Sequence, residues 1–408
     1  MSDGASGMRV LYHHRTQAED GQAVHVRSLL AALQEEGHTV HEVGLVRHSA
    51  PASERAAAPK AGDQPTSEGR AKWGWVTRLP RFLRELAEYG YSGVARNRLV
   101  GEATRFEPDF VYERYAFGNA AGILAARKLK LPLVLEVNSP MVEELSRTRG
   151  LSFPGLARKL ENYIFQTADR VCVVTGVLGD MLCELGVERE RLLVTPNGVD
   201  LALYDYADRA AVRAAARRDL GLGDGGGEDE LILGFVGYYR DWHRLDLAID
   251  ALLRPELAHA KLVLIGEGPA RDELERHAAA RGAGHRLIFA GPRPHAAIPT
   301  LLPAFDVALI PAINPYASPL KLHEYMAARL PVLAPDQPNL REVLTDGENA
   351  LLLPPADGEA LGDAVSRLAL DADLRERLAR AGRETFVERD MTWRGNARRV
   401  VEAVEHLK

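Results

Sequence analysis

The sequence predicts an α/β protein with two doubly wound parallel sheets. Short apolar runs of strand length alternate with amphipathic helical stretches along the chain, which is the pattern of parallel α/β architecture. The pattern restarts near residue 231, and 408 residues exceed the size at which one hydrophobic core stops growing. We therefore expect two domains, each with a ligand crevice at the carboxyl ends of its strands.

The individual elements follow from this periodicity. A buried strand at residues 9–12 precedes a helix at 22–36, which Gly37 ends as the residue after the C-cap. The other strands of the first half are predicted at 40–46, 110–112, 133–137, 171–174 and 192–194. Its other helices are predicted at 118–129, 156–168 and 177–185. The strands of the second half are predicted at 231–236, 262–265, 287–289, 307–310, 332–334 and 350–353.

Composition excludes several classes of protein. The net charge of -6 argues against a general nucleic-acid binder. The two cysteines, Cys172 and Cys183, lack metal-ligand spacing and are expected to be reduced thiols. The first seven residues carry no apolar signal sequence, and no apolar run reaches the length of a membrane span. A cytoplasmic location is the expectation.

Two segments interrupt the α/β pattern. Residues 50–70 are rich in Ala, Ser, Gly, Pro and charge, which predicts a mobile surface loop. Residues 73–86 place Trp73, Trp75 and further apolar side chains among arginines. This stripe fits a helix that contacts a membrane surface or the acceptor, with a peripheral position at the inner membrane face. It also fits a helix packed on the N-terminal sheet with an arginine-rich outer face.

The segment 314–333 carries the most chemical information. Ser318 is a good N-cap and Pro319 suits the first helical position, so we expect a helix that runs to about Arg329. Lys321 then lies in the first turn, where the helix dipole disfavours a cation unless an anion such as a nucleotide diphosphate binds there. Glu324 could accept two ribose hydroxyls. The alternative is a surface pair of Lys321 with Glu324, worth about 0.2–0.5 kcal/mol.

Six segments in order along the chain resemble motifs of family 4 of the retaining glycosyltransferases. They are Asp-Gly-Gln at 20–22, Gly-His-Thr-Val at 37–40, Thr-Pro-Asn-Gly-Val-Asp at 195–200, Gly-Glu-Gly-Pro at 266–269, the helix at 318–332 and Met-Thr-Trp at 391–393. The resemblance implies the GT-B fold, in which two Rossmann-like doubly wound domains face each other across a cleft. It implies a transferase that moves a sugar from a nucleoside diphosphate sugar, of the UDP type, to an acceptor hydroxyl.

The same resemblance divides the chain and assigns roles. It implies an N-terminal acceptor-binding domain at 1–198, a donor domain at 199–386 and a C-terminal helix at 387–408 that crosses back to the first domain. Glu324 resembles the glutamate that binds the donor ribose, and main-chain amides near Leu320 would hold the diphosphate. The expected donor-binding residues are Gly21, Gly237, Arg240, His243, Arg244, Arg293, Tyr316, Ser318, Leu320, Lys321 and Glu324.

The sequence also departs from the family's pattern. Tyr316 stands where the family has a first glutamate, which leaves the donor sugar open. Tyr238 and His243 stand where the family has an arginine and a lysine. Positive charge for the diphosphate would come instead from Arg240, Arg244 or Lys321, and His243 could act as a neutral hydrogen-bond donor.

Candidate catalytic and acceptor residues follow the strands of the first half. Asn138 falls, by strand register, where the family often has a histidine near the reacting bond, and Glu136 lies on the same face. Glu136 either binds an acceptor hydroxyl near the anomeric carbon or makes a structural hydrogen bond, because an ionised carboxylate in an apolar strand is costly unless it is paired. With Lys321 these two form the predicted catalytic set. His13 and His14 are expected in a loop that contacts the acceptor.

No metal or cofactor is expected beside the nucleotide sugar. The Asp-Ala-Asp spacing at 371–373 is that of metal-dependent transferases, but helix capping explains it. No Gly-x-Gly-x-x-Gly opens the first helix with an acidic residue placed for nicotinamide cofactors, and the chain lacks a P-loop and a nucleophile elbow. A catalytically weak sugar-nucleotide-binding protein, or a phosphorylase or epimerase of the same fold, remain as alternatives.

Overall fold

The computed structural model describes residues 7–16, 21–45, 80–222 and 230–407. The chain divides into unit 1, which is Met1–Pro196 with Trp393–Lys408, and unit 2, which is Asn197–Thr392. The predicted loop at 50–70, Asp20, Trp73 and Trp75 lie outside the described residues.

Unit 1 is a six-stranded parallel sheet with helices between its strands. Its strands are β1 (Arg9–His14), β2 (Thr39–Gly44), β3 (Phe110–Arg114), β4 (Leu133–Val137), β5 (Arg170–Val173) and β6 (Leu192–Val194), in the order β2-β1-β3-β4-β5-β6. Its helices are α1 (Gly21–Glu35), α2 (Arg81–Phe106), α3 (Ala121–Leu129), α4 (Met141–Thr148), α5 (Pro154–Thr167) and α6 (Gly176–Glu184). The strand order changes direction between β1 and β3, which makes their carboxyl ends the expected ligand crevice.

Unit 2 repeats this architecture. Its strands are β7 (Leu231–Val236), β8 (Ala260–Ile265), β9 (Leu287–Gly291), β10 (Val307–Leu309), β11 (Val332–Pro335) and β12 (Leu351–Leu353), in the order β12-β11-β10-β7-β8-β9. Its helices are α7 (Arg209–Asp219), α8 (Leu245–Ala251), α9 (Arg271–Ala280), α10 (Ile298–Leu301), α11 (Leu320–Ala327), α12 (Pro338–Arg341), α13 (Gly358–Leu370) and α14 (Ala372–Glu388). Here the strand order changes direction between β7 and β10.

The last helix, α15 (Trp393–Glu405), belongs to unit 1 and packs against α1. Arg394 and Arg398 both bind the carboxylate of Glu36, at 2.6 and 2.9 Å. Trp393 meets the ring of His25 edge to face, with centroids 4.7 Å apart. The helix thus covers α1 with a buried apolar face and fixes it with exposed ion pairs.

The observed helix ends agree with some of the predicted ends and differ from others. Gly37 has φ +90° and follows α1, as predicted, and Asp371 accepts from the Leu374 amide at the start of α14. The N-cap of α11, in contrast, is Pro319 rather than Ser318, and the helix ends at Ala327 because Arg329 takes the left-handed conformation. No helix among the described residues is long and apolar enough to cross a bilayer.

The first strand is longer than predicted, which changes the status of two candidate residues. β1 extends through His14, so His13 and His14 lie in the sheet and not in the loop that follows it. Both side chains are buried. The prediction ended β1 too early because histidines seldom lie at the end of a buried strand unless each has a polar partner. The partners of these two histidines are distant along the chain, so the sequence does not reveal them.

Candidate functional site

The amino end of α11 is open at the carboxyl edge of the unit 2 sheet. Asp208, Asp357 and Asp371 cap other helices of this unit with their carboxylates, but no side chain of a described residue caps α11. Among the described residues, the amides of Leu320 and Lys321 have no hydrogen-bond acceptor. Such an end combines free N–H donors with the positive pole of the helix dipole, and it therefore attracts an anion.

Ser318 serves to fix this end in place and does not cap it. Its hydroxyl accepts from the Asn197 amide at 3.2 Å and lies 3.0 Å from Nε2 of His323. The Asn197 side chain donates to the Ser318 carbonyl at 2.5 Å. The segment that opens unit 2 thereby holds the start of α11.

Lys321 occupies the first turn of α11 as a half-buried cation. Its Nζ lies 3.7 Å from the centroid of the Phe235 ring, and a Cβ added at Gly237 would lie 3.0 Å from Nζ. No carboxylate lies within ion-pair distance among the described residues. Burial lowers the pKa of Lys321 to about 7, and the nearby charge of Glu324 only partly opposes this effect. The ammonium therefore lacks a counter-ion that a bound anion would supply.

Glu324 faces the same region from the next turn of α11. Its carboxylate is almost fully buried, and Oε1 lies 2.8 Å from Nε2 of His295. His295 itself is exposed and follows β9. A buried carboxylate with one imidazole partner keeps acceptor sites for further hydroxyl donors. Sequence analysis missed His295, because nothing in the chain between β9 and α11 indicates that the two residues meet.

The loop after β7 forms the other wall beside Lys321. Gly237 has φ +139°, and its amide donates to the Ile265 carbonyl at 2.9 Å. A Cβ at Gly266 would lie 2.0 Å from the Gly237 oxygen, so the loops after β7 and β8 touch through their backbones. Burial, with the charges of Lys321 and Arg240, lowers the pKa of His243 to about 3, so its imidazole is neutral.

The predicted cations of this loop have different environments. Arg240 is exposed and stacks over the rings of Tyr238 and Trp242, at 4.7 and 5.1 Å from the centroids. Arg244 is paired with Asp246 at 2.8 Å, which uses its charge.

Two other predicted donor residues lie on separate elements of unit 2. Arg293 donates to the Asp219 carbonyl at the end of α7, 3.4 Å away, and is thus turned to that helix. Tyr316 is half-buried in the segment before α11.

In unit 1 the strand ends at the change of direction form a cavity of about 560 Å³. Asn138 and Arg114 line it. Glu136 does not line it, since its side chain is buried below and only 1% of the residue is exposed. The structure therefore corrects the expectation that Glu136 contacts an acceptor directly.

The Glu136 carboxylate is instead the centre of a buried network. It accepts from Arg114, from Asn138 and from the Tyr112 hydroxyl at 2.9 Å, and His25 lies 3.1 Å away. Burial acts to raise the pKa of Glu136, but His25 and Arg114 outweigh it and hold that pKa far below the usual range. Glu136 is thus an ionised anchor for the two residues that do face the cavity.

The imidazoles of His13 and His14 likewise contact buried carboxylates inside the sheet. Nδ1 of His13 lies 2.6 Å from Glu113, whose carboxylate also accepts from the Gly122 amide at the start of α3. Nε2 of His14 lies 2.9 Å from Glu42 on β2. Neither imidazole is accessible to an acceptor, so this part of the prediction was wrong.

The remaining predictions concern the amino side of unit 1. Gly21 is exposed at the first position of α1, next to undescribed residues. Phe82, Leu83 and Leu86, from the predicted stripe at 73–86, begin α2 and are between 40% and 48% exposed. Each of these three side chains thus keeps a large exposed fraction at the start of α2.

The structure thus brings together one cluster in each unit. In unit 2 it comprises Gly237, His243, Ser318, Leu320, Lys321 and Glu324, with His295 added and Arg240 at its edge. In unit 1 it comprises Asn138 and Arg114 above Glu136.

Two family models match the chain. The family described as Glycosyltransferase Family 4 matches residues 20–203, and the one described as Glycosyl transferases group 1 matches residues 225–385. A D-inositol 3-phosphate glycosyltransferase of Nocardia farcinica is 31% identical over 67% of this chain and 61% of its own length. The chain thus spans less than two thirds of that relative. An alpha-D-kanosaminyltransferase of Streptomyces kanamyceticus is 28% identical over 63% of this chain and 66% of its own length.

Solved structures share the fold over nearly the whole chain. HepE of Anabaena, solved in complex with UDP, superposes with a TM-score of 0.70 at 17% identity and covers 98% of this chain and 100% of its own. Sucrose-phosphate synthase of Thermosynechococcus elongatus gives a TM-score of 0.71 at 19% identity, covering 98% of this chain and 99% of its own. At these identities the likeness establishes the fold alone, and it confirms the predicted fold class.

The unpaired Lys321 predicts how the stability of the free protein depends on pH. Its folded-state pKa of about 7 lies below the ordinary 10.5, so between these values the unfolded chain binds more protons. The free energy of unfolding should therefore gain a contribution from Lys321 as pH rises from 7 to about 10, and lose it as pH falls through 7. Denaturant titration over this range should show a smaller rise for Lys321→Met than for the wild type. The exposed control Lys128→Met should show the same rise in the free energy of unfolding as the wild type. An equal rise in Lys321→Met and the wild type would contradict a buried, unpaired Lys321.

Proposed function

This chain belongs to family 4 of the glycosyltransferases, and from that premise we propose that it transfers a sugar from a UDP-sugar to an acceptor hydroxyl with retention of configuration and without a metal ion. The single observation that carries the proposal is the open amino end of α11, with Lys321 and Glu324 on its first two turns. The helix end can bind an anion, and one helical turn away the Glu324 carboxylate can accept hydrogen bonds from hydroxyl groups. This spacing matches a nucleotide, in which a diphosphate is joined to a ribose.

The proposed donor site assigns a task to each group. The Leu320 and Lys321 amides and the Lys321 ammonium hold the diphosphate, Gly237 allows its close approach, and Glu324 accepts from the ribose. As the bond to the sugar breaks, negative charge accumulates on the leaving phosphate, where these fixed donors stabilise it. UDP as the leaving group is supported by its presence in the HepE complex, whose fold this chain shares.

The acceptor is proposed to bind in the unit 1 cavity, where Asn138 and Arg114 are held by Glu136. Its hydroxyl attacks the anomeric carbon on the face that the phosphate leaves, and the departing phosphate oxygen takes the hydroxyl proton. The resemblance to the retaining family supports this course. Both relatives named above are glycosyltransferases by their names, which supports the transfer of a sugar.

The ribose role of Glu324 can be tested by binding alone. UDP at about 100 times its dissociation constant should stabilise the wild type by about 2.7 kcal/mol in thermal unfolding. Glu324→Ala should weaken UDP roughly 10- to 100-fold, because hydrogen bonds to a charged group are lost. The variant should also bind UDP and 2′,3′-dideoxy-UDP alike, whereas the wild type prefers UDP. Glu273→Ala is the exposed control, and a variant that keeps the preference would remove Glu324 from the ribose site.

The diphosphate role of Lys321 predicts a proton uptake. At pH 8.5 the free protein holds Lys321 mostly neutral, because its pKa is about 7. A bound diphosphate raises that pKa, so UDP binding should take up close to one proton. Calorimetry in buffers of different ionisation enthalpy measures this number. It should fall towards zero in Lys321→Met and persist in Lys128→Met; an unchanged uptake in Lys321→Met would place the diphosphate elsewhere.

Retention of configuration and independence of a metal ion can be tested only in an assay of sugar transfer. Proton NMR of the product formed from an α-linked UDP-sugar should show an α-glycoside from its first appearance. EDTA should leave the rate unchanged, since amides and Lys321 neutralise the leaving group. A β-glycoside would refute retention, and a rate lost in EDTA and restored by Mg²⁺ would refute metal independence.

A further inference from the structure

A cavity of about 300 Å³ lies in unit 2, beside the carboxyl end of α11. Its charged lining consists of three guanidinium groups and one carboxylate. The guanidiniums are those of Arg209 at the start of α7, Arg329 after α11, and Arg383 on α14. The carboxylate is that of Asp205. The eight residues of α11, which correspond to about 12 Å of helix, separate this cavity from the amino end of that helix.

Two of the three guanidiniums are held in place by the end of α11. Arg209 donates to the carbonyls of the two residues that follow the helix, at 2.6 and 3.2 Å. Arg383 donates to the carbonyl of Ala327, the last residue of the helix, and to the carboxylate of Asp205. Carbonyls at the end of a helix have no donor within the helix, so these bonds are structural. The ion pair with Asp205 also neutralises the charge of Arg383.

Arg209 carries its charge in partly buried surroundings. Its guanidinium lies over the Tyr206 ring, 5.7 Å from the centroid. Burial lowers the pKa of Arg209, and the charges of Arg329 and Arg213 act in the same direction. A guanidinium nevertheless keeps its proton at physiological pH. The fold thus brings like charges together at this cavity, and a bound anion would offset their repulsion.

Arg329 is not explained by the end of the helix. Its side chain is exposed and makes no hydrogen bond in the described part of the chain. Its ion-pair contact among the described residues is with Glu376, at 3.9 Å between two exposed groups, which contributes little. The bonds to α11 therefore account for two guanidiniums and leave the third available at the same cavity.

A dianion matches this lining. Because Asp205 neutralises Arg383, the guanidiniums of Arg209 and Arg329 supply two positive charges. A phosphate ester of one substituent carries about -1.5 to -2 charges at pH 7, and three of its oxygens accept strong hydrogen bonds. Arginine binds such a group through two parallel N–H donors. The volume is at the lower limit of small-molecule sites, roughly 300–1,000 Å³, so the rest of the ester must be small.

We propose that this cavity binds the phosphate group of a small phosphate ester through Arg209 and Arg329. Tyr206 and Ala207 belong to the same lining and contact the rest of the ester. The site goes beyond the proposed function and does not depend on it. The diphosphate of UDP is assigned to the amino end of α11, whereas this cavity lies at the carboxyl end.

Arg329→Gly tests the site with little risk to the fold. Arg329 has φ +56°, a left-handed conformation that glycine adopts without strain, so thermal unfolding of the variant should occur at or above the wild-type temperature. Lys130 is exposed and has the same φ at the end of α3. Lys130→Gly is therefore a matched control that loses the same charge and gains the same backbone freedom.

The probes are inorganic phosphate and phenyl phosphate, titrated calorimetrically at constant ionic strength. Saturating UDP in every titration fills the donor site, so that the probes report on other sites. The wild type and Lys130→Gly should bind at least one probe with equal affinity. Arg329→Gly should weaken that binding about tenfold or more, because charge-assisted hydrogen bonds are lost. Arg209→Gln should weaken it as well.

Three results overturn the inference. The first is a wild type that binds neither probe, and the second is equal affinity in the wild type and Arg329→Gly. The third is tighter binding of malonate, a dicarboxylate, than of either phosphate compound, since the site would then select carboxylates. If UDP fails to bind the wild type, the proposed function fails. The same titrations without UDP still decide on this cavity, because Arg329→Gly leaves the amino end of α11 unchanged.

Discussion

Parallel pairing of every strand is the constraint on which both clusters depend. Each six-stranded sheet has all its strands in one direction, so every carboxyl end lies at the same edge. Strands β7 and β10 are neighbours at the change of direction. Gly237 follows β7, and the segment that leads to α11 follows β10. Residues more than eighty positions apart, such as Gly237 and Lys321, meet for this reason alone.

The two units treat buried charge in opposite ways. In unit 1, Glu136 lies among Arg114, His25, Asn138 and Tyr112, and this full set of partners keeps it ionised within the sheet. In unit 2, Lys321 has an aromatic face beside it but no carboxylate within ion-pair distance in the described residues, and its pKa falls. A network in which every polar group has a partner stabilises one arrangement of the side chains. Burial of a cation without a counter-ion costs free energy, and a bound anion would reduce that cost.

The departures from the family's pattern are consistent with this picture. Tyr238 and His243 stand where the resemblance implies two cations, and His243 is neutral. The Lys321 ammonium approaches the same loop from α11, with Nζ against Gly237 and Phe235. Lys321 thus places a side-chain nitrogen beside the loop where the resemblance implies two cations. The neutral His243 is compatible with this arrangement, because a second cation beside Lys321 would lower its pKa further.

Periodicity and motif spacing determined the α/β class, the restart of the pattern in the second half, and the placement of Lys321 and Glu324 on successive turns of one helix, because these are local properties of the chain. Gly37 and Asp371 were also predictable, since a left-handed end and a helix cap need only neighbouring residues. Partners from distant segments decided the rest. His295 reaches Glu324, Glu113 and Glu42 draw His13 and His14 into the sheet, and Glu136 is enclosed below the cavity. Such pairings depend on how strands and loops converge in three dimensions, and sequence spacing carries no measure of that distance.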